Sequence, residues 1–386
     1  MISRYQKIIR STAVLLFLLV LSACQTRVPS NVPTMTLKKV NFNQLAYWQE
    51  DDHTRALATF KRSCKPINKM NAKAWFSPIR QAGKVKSWQK ICEKAVNVPK
   101  HDTVAARKFF ETWFEPYQVG DRFNPDGLFT AYYLPLLQVS TEPDARYNIP
   151  IYARPSDLTK LGKRGRNRVV QVKNNQYLPY PDRAAIKDGA IEKMAPVLFW
   201  CDNEIDVFFA QIQGSAIVQL PDQKQMVIGY AGTNGHPYTS IGKVLIEKGA
   251  LTIQTVSMQT IRAWLEAHPE QLHEILNKNA SYVFFKILKD DQPVGTQQVP
   301  LTPKRSLAID TRYIPLGAPI WLNTNIPHHN NAELWTPFNQ LLIAQDTGGA
   351  IKGIVRGDIY LGGGERATFI AGHMNNLGQY WLLLPS

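Results

Sequence analysis

Most of the hydrophobic pattern in this chain falls in short runs bounded by Gly, Pro and Asn. Residues 127–141 (GLFTAYYLPLLQVST), 148–155 (NIPIYARP), 205–220 (IDVFFAQIQGSAIVQL), 225–232 (QMVIGYAG) and 281–289 (SYVFFKILK) read as strands, as does most of the C-terminal third. Helical signals are few. Asp102-Thr103 can cap residues 104–117, where Phe109, Phe110, Trp113 and Phe114 form an apolar face. Ser240 can cap 241–248, which stops at Gly249, and 257–267 and 270–278 follow as a pair split by Pro269. The pattern predicts a mainly β protein with a few helices and no internal repeat.

The first residues break this pattern. Arg4, Lys7 and Arg10 precede AVLLFLLVLSA, an apolar stretch too short to span a bilayer. It ends in Leu21-Ser22-Ala23-Cys24, the form of a bacterial lipobox. Residues 1–23 are expected to be a lipoprotein signal peptide, with lipid on Cys24; the plainer alternative is an ordinary signal with Cys24 incidental. Residues 24–40 have no hydrophobic period and two prolines, and read as a lipid-anchored tether.

Such a leader implies an oxidising compartment, which gives the remaining cysteines a use. Cys64 and Cys92 bracket one segment and could close a loop of about 28 residues, adding roughly 3–4 kcal/mol if unstrained. Buried thiols are the alternative. Cys201, among large apolar residues, reads as core. No CxxC or HExxH occurs and His328-His329 lacks nearby acids, so no metal site is expected.

The 386-residue chain is 44% hydrophobic, which suits a folded core, and its length allows two domains. Its net charge of +15 implies anionic surroundings. Nucleic acid is the generic partner for a basic chain. A secreted lipoprotein meets other anions, including acidic lipid and the carboxylates of peptide-bearing glycan, so no nucleic-acid partner is expected. The basic run from Lys160 to Arg168 reads as a solvated loop.

Candidate chemistry gathers in residues 341–364, LLIAQDTGGAIKGIVRGDIYLGGG. Asp346 and Asp358 each follow a β-favouring run, and glycines crowd around them. Asp310 ends another apolar run upstream. Three carboxylates converging on a partly apolar pocket would raise at least one pKa and make a general acid. Alternatively, each aspartate caps a turn.

These segments resemble the lytic murein transglycosylase A family. The likeness rests on Asp310-Thr-Arg-Tyr-Ile-Pro315-Leu-Gly317, Asp346-Thr-Gly-Gly-Ala-Ile-Lys352-Gly and Asp358-Ile-Tyr360-Leu-Gly362. It extends to Phe129-Thr130-Ala-Tyr132-Tyr133-Leu-Pro135, to Gln213-Gly214-Ser215, and to the stretch from Gly229 through Tyr230, Asn234 and Tyr238 to Lys243. Ala216 stands where the family commonly has Gly.

The resemblance implies a double-psi β-barrel made of residues 41–134 and 291–386, with a second β-domain, 135–290, inserted as the other wall of a groove. It implies an exo-acting lytic transglycosylase that cleaves the β-1,4 bond between N-acetylmuramic acid and N-acetylglucosamine, in cell-wall turnover. The muramyl 6-hydroxyl attacks C1, so the nucleophile belongs to the substrate and one acid can serve first as acid and then as base. Carried across, that residue is Asp358, supported by Asp346 and Asp310. Thr130, Tyr132, Tyr133, Gln213, Ser215, Tyr230, Asn234, Tyr238 and Lys352 are the implied glycan-binding residues; ordinary strand packing and turns are their bland alternative. No cofactor is needed. The implied partners are peptidoglycan strands, the outer membrane through the lipid (Gln25 follows Cys24) and other cell-wall enzymes, with the protein itself a monomer. A non-catalytic peptidoglycan-binding lipoprotein is the rival function. An aspartic protease would need a second D-T-G carboxylate, and Asp346-Thr347-Gly348 is the single such triplet.

Overall fold

The computed structural model describes residues 34–77, 79–162, 168–173, 176–329 and 331–386. The expected signal peptide, Cys24, the tether as far as residue 33 and the centre of the basic run lie outside the described residues.

Seventeen strands follow in order among the described residues. β1 (Met35–Lys39), β2 (Phe114–Asp121) and β3 (Gly127–Leu134) come first. β4 (Leu136–Ser140), β5 (Ile149–Tyr152), β6 (Leu158–Leu161), β7 (Arg168–Lys173), β8 (Gln176–Pro179), β9 (Val197–Cys201), β10 (Ser215–Gln219), β11 (Gln225–Thr233) and β12 (Val283–Ile287) occupy the middle. β13 (Ser306–Ala308), β14 (Pro319–His328), β15 (Asn331–Asp346), β16 (Arg356–Gly363) and β17 (Asn376–Pro385) end the chain.

The first and last groups make one sheet, β1-β2-β17-β14-β15-β13-β16-β3, and β3 pairs again with β17. That second pairing closes β17, β14, β15, β13, β16 and β3 into a six-stranded barrel, removing the free edges an open sheet would present. The β13–β15 and β16–β3 pairs are parallel and the other four are antiparallel. Trp321, Leu341, Ile343, Ile359 and Leu382 fill the core.

The middle strands form a six-stranded sheet, β12-β11-β10-β4-β9-β5, and a three-stranded sheet, β6-β7-β8. Val139, Phe199, Cys201, Val218 and Phe285 make a separate core there. Cys201 is indeed a buried free thiol.

The barrel is capped by helices His53–Ile67, Val85–Val96 and Thr103–Trp113. Cys64 and Cys92 form a disulfide between the first two, as expected from their bracketing. Asp102 caps the third by accepting from Ala105 N, and Ser240 caps Ile241–Glu247 by accepting from Lys243 N.

Four expectations need correction. The tether is too long: Met35–Lys39 is a strand paired along β2. The helix after Asp102 stops at Trp113, and Phe114 starts β2 because Pro116 cannot supply an interior helical N–H. Residues 205–213, read as strand, lie in the helix Glu204–Gln213. Asn203 caps it through Ile205 N and Asp206 N, and Gly214 ends it in the left-handed region. Helices are also more numerous than expected: His53–Ile67, Val85–Val96, Arg183–Lys187 and Glu365–His373 carried no recognised signal.

One buried ion pair fastens the N-terminal segment to the barrel. Arg305 Nη1 and Nη2 donate to Asp51 Oδ2 and Oδ1, each at 2.7 Å, and both side chains are 2% exposed. Leu341 N also donates to Asp51 Oδ2, and Arg305 Nη1 to Leu341 O. Asp51→Ala leaves a buried guanidinium without its carboxylate, so stability should fall by about 3–5 kcal/mol. Replacing both partners together with apolar residues should restore much of that loss. Urea denaturation of the two variants checks both outcomes; a single variant as stable as wild type would show that the pair is not a clamp.

Candidate active site

Strand alternation builds the site. Along β3, Thr130 and Tyr132 share one face while Tyr133 turns to the other. Along β16, Arg356, Asp358 and Tyr360 share one face. The parallel register sets Asp358 opposite Thr130 and Tyr360 opposite Tyr132, so the two faces merge. Asp346 ends β15, and Ala308 of β13 pairs with both Asp346 and Asp358. A single three-residue strand thus holds the two aspartate-bearing strands side by side.

Asp358 keeps a solvent-facing edge but is closely surrounded. Thr130 Oγ1 donates to its Oδ1 at 2.5 Å, and Arg356 Nη2 donates to Thr130 Oγ1 at 2.8 Å. With Arg356 supplying the proton on one side, the Thr130 hydroxyl must direct its own proton at Asp358. Oδ2 makes no hydrogen bond among the described residues, which leaves that oxygen for a ligand or a proton. Burial pushes the carboxyl up to about 6. The Thr130 bond and the Arg356 charge oppose the rise, and the Asp346 charge adds to it.

Asp346 is much more fully bonded. It accepts from Tyr132 Oη at 2.9 Å, from Thr296 N and Thr347 N at 2.9 Å, and from Thr296 Oγ1 at 3.1 Å. Burial raises its pKa, and these donors restrain the rise. Burial and the two carboxylates likewise hold the Tyr132 hydroxyl in its protonated, donating form.

Asp310 does something else. Burial alone would raise its pKa, yet the Arg312 guanidinium, Gly353 N and Arg312 N hold it down to about 2. Gly353 N donates to Asp310 Oδ2 at 3.0 Å, and Tyr380 Oη donates to the Ile354 carbonyl. The turn leading from Asp346 to Asp358 is pinned at both points. Gly353 has φ +128°, a conformation that glycine tolerates and L side chains rarely adopt. The structure therefore brings two of the three aspartates together and makes the third an ionised brace.

The remaining expected residues divide. Gln213 Oε1 accepts from Tyr133 N at 3.1 Å, which fastens the end of helix Glu204–Gln213 to β3 beside Tyr132. Tyr230 and Tyr238 are exposed, Ser215 is half-buried at the start of β10, and Lys352 is exposed in the turn before β16. Asn234 is buried and its amide is fully engaged: it donates to Pro181 O and Ala280 O and accepts from Tyr282 N. Its place in the fold is to tie loops together, and it offers a glycan nothing. Sequence reasoning missed Arg356 and Thr296. Arg356 stands two residues before Asp358 on a strand, so alternation was signal enough to find it. Thr296 lies in an irregular segment and carried no signal.

Residues 128–286 match the family described as the MltA specific insert domain, and residues 305–384 match the 3D domain. The membrane-bound lytic murein transglycosylase A of Vibrio cholerae serotype O1 is 35% identical over 260 residues, 66% of this chain and 65% of that protein. The match thus spans somewhat less than two thirds of the length of this curated relative. A crystal structure of membrane-bound lytic murein transglycosylase from Agrobacterium tumefaciens superposes with a TM-score of 0.81 at 30% identity, covering 91% of this chain and 98% of that one. Escherichia coli MltA, crystallised with bound chitohexaose, gives a TM-score of 0.61 at 30% identity over 85% of this chain and 90% of that one. With both family domains in order and a barrel that matches solved relatives over nearly its whole length, the chain belongs to the MltA family, that of membrane-bound lytic murein transglycosylase A.

Proposed function

We propose that this protein is a lytic transglycosylase that cleaves the β-1,4 bond between N-acetylmuramic acid and N-acetylglucosamine in peptidoglycan, leaving 1,6-anhydromuramic ends. The observation that carries the reading is Asp358: a closely surrounded carboxyl raised to about 6, with one oxygen held by Thr130 and the other unbonded. A general acid must be protonated in part near working pH, and an ordinary aspartate near 3.9 would not be.

On this reading Thr130 fixes Oδ1 as acceptor, so the proton of the acid form sits on Oδ2. Oδ2 protonates the leaving glycosidic oxygen. The resulting carboxylate then takes the proton of the muramyl 6-hydroxyl as that oxygen bonds to C1. The acid form is regenerated and no water enters. Asp346 lends negative charge, which strengthens the hold of Asp358 on its proton and favours the positive charge developing at C1. Asp310 positions the intervening turn. Tyr132, Tyr230, Tyr238, Gln213, Ser215 and Lys352 supply hydrogen bonds and flat surfaces in a groove whose second wall is the inserted domain. The binding of chitohexaose by Escherichia coli MltA supports a glycan ligand. We place the protein in the periplasm on a Cys24 lipid at the outer membrane. The relatives are named membrane-bound, and no helix among the described residues is long and apolar enough to cross a membrane.

Three predictions test this. First, Asp358→Asn can neither donate nor accept the proton, so turnover on sacculi should fall by at least ~10²–10⁴. Mass spectrometry of wild-type products should show anhydro ends about 18 Da lighter than hydrolytic ones, since water is excluded from the displacement. Reducing muramic ends would instead mean hydrolysis, and a wild type that binds sacculi without cleaving them would leave a binding lipoprotein.

The second reads the same group through stability. Between the unfolded value near 3.9 and the folded value of about 6, the folded chain keeps a proton that the unfolded chain has lost. Ionised Asp358 therefore costs stability at neutral pH, and the cost vanishes as pH falls below the unfolded value. Asp358→Asn should be the more stable protein at pH 7–8 by on the order of 1–3 kcal/mol, with the gap closing toward pH 4. Thermal melts across that range decide it, and a gap independent of pH would remove the raised pKa from the argument.

Third, Cys24→Ser should release the protein into the soluble periplasmic fraction. Unchanged membrane fractionation would count against the anchor.

A further inference from the structure

A second cleft lies within the inserted domain. It encloses about 390 Å³ between helices Arg183–Lys187, Glu204–Gln213 and Leu272–Asn277 and the start of β5. None of the three aspartates lines it.

Two of its residues keep unused hydrogen-bonding capacity. Arg183 is 7% exposed and stacks on Phe208 and Tyr282. Its Nε and Nη2 donate to the carbonyls of Asn279 and Ser281, while Nη1 makes no hydrogen bond and no carboxylate reaches the guanidinium among the described residues. Arg305, the other buried arginine, has Asp51 bidentately in place. Gln211 is 5% exposed, and its Oε1 accepts no hydrogen bond among the described residues. Buried polar groups are nearly always paired, so the buried Gln211 acceptor, in one cleft with an Arg183 Nη1 that is open to it, describes a ligand with the complementary pair. The charge balance agrees. Arg183 and Lys187 face a single carboxylate, Glu204, which Lys187 already binds at 3.1 Å with His273 beside it. An anion would neutralise the excess.

A peptide C-terminus has this arrangement: a carboxylate for Arg183, the N–H of the last amide for Gln211 Oε1, and a side chain small enough for the wall of Val207 and Phe208. We infer that the cleft of the inserted domain binds the C-terminal carboxylate of a peptidoglycan stem peptide. This rests on the glycan-cleaving reading for its choice of peptide. Helix Glu204–Gln213 gives it a consequence, since Gln211 lines the cleft and Gln213 holds Tyr133 N of β3. A peptide seated there would fix where its glycan strand crosses the barrel.

Titration calorimetry of the full chain tests this with a free stem tetrapeptide, its C-terminal amide and a peptide-free chitooligosaccharide. The acid form should bind at least tenfold tighter than the amide. Gln211→Leu, which removes the unpartnered acceptor together with the amide N–H donors that face Tyr282 and nearly keeps the volume, should weaken the acid form at least fivefold. Arg183→Gln should weaken it further. Asp358→Asn should bind the tetrapeptide as wild type does. Equal affinity for acid and amide, or full affinity in Gln211→Leu, would overturn the inference. Cleavage of sacculi without tetrapeptide binding would defeat this inference alone, and tetrapeptide binding without cleavage would defeat the catalytic reading alone.

Discussion

β3 has to pair on both edges at once, parallel to β16 and antiparallel to β17, or the barrel does not close. Everything at the site hangs on that double pairing. It sets Thr130 opposite Asp358 and brings Tyr132 to Asp346. It also forces chain segments together where side chains cannot fit. A Cβ on Gly127 would overlap the Val355 carbonyl, and one on Gly378 would press on the Asn323 carbonyl. Beyond Leu134 the chain passes through Pro135 directly into β4, with no loop between barrel and insert. The strand that presents Thr130 to Asp358 therefore also sets the direction in which the chain enters the six-stranded sheet of the middle region. Gln213 returns to the same strand at Tyr133, so the junction is held from two sides.

Beneath Asp346 lies a buried polar network that fixes where that carboxylate stands. Gln345 Nε2 donates to Ser63 Oγ and Thr59 O, and Gln345 Oε1 accepts from Ser306 Oγ. Ser63 Oγ donates in turn to Gln297 Oε1. Helix His53–Ile67, β13, β15 and the segment carrying Thr296 thus meet at one glutamine. Apolar packing alone would tolerate a register slip, whereas a slip of β15 would leave several buried polar atoms unpaired at about 1–3 kcal/mol each. The Asp51–Arg305 pair nearby specifies the same register through Leu341. The capping helices are in this sense part of the site, although none of their residues is needed for the chemistry.

What was readable in the sequence were features whose cause is local. The caps at Asp102 and Ser240, the break at Pro269 and the bracketing cysteines announce themselves within a few residues. Helix Glu204–Gln213 does not. It is buried on several faces, so its apolar residues lose the helical period, and Ile, Val and Phe then mimic a strand. β1 was hidden for the opposite reason: an edge strand with little buried surface needs no hydrophobic alternation. At the site, aspartates following strands pointed to Asp346 and Asp358, but not to how unlike the three acids are. That depends on donors brought from far along the chain: Thr296 and Tyr132 to Asp346, Thr130 to Asp358, Gly353 to Asp310. Asn234 shows the limit from the other side. Its neighbours in sequence suggested a ligand contact, and only the fold reveals that three backbone segments already occupy its amide.

The contrast among the three aspartates bears on why one acid could suffice. Asp310, held at about 2 by the Arg312 guanidinium and backbone donors against its burial, has no proton to give at any pH where the protein works. Asp346 has four donors around it, three on Oδ1 and Tyr132 on Oδ2, and each of them favours its ionised form and restrains its basicity. That makes Asp346 poorly suited as the base that activates water in a hydrolase, and the usual second carboxylate is in effect withdrawn. Asp358 alone keeps an oxygen unbonded and a pKa at which both of its forms are populated near neutrality. A site with one proton carrier and no ready base for water favours a nucleophile that arrives within the substrate and hands its proton back to the group that has just lost one. On the proposed reading, Thr130 holds Oδ1, so donation to the leaving group and recovery from the attacking hydroxyl would both pass through Oδ2, with the sugar shifting across a carboxyl that stays in place.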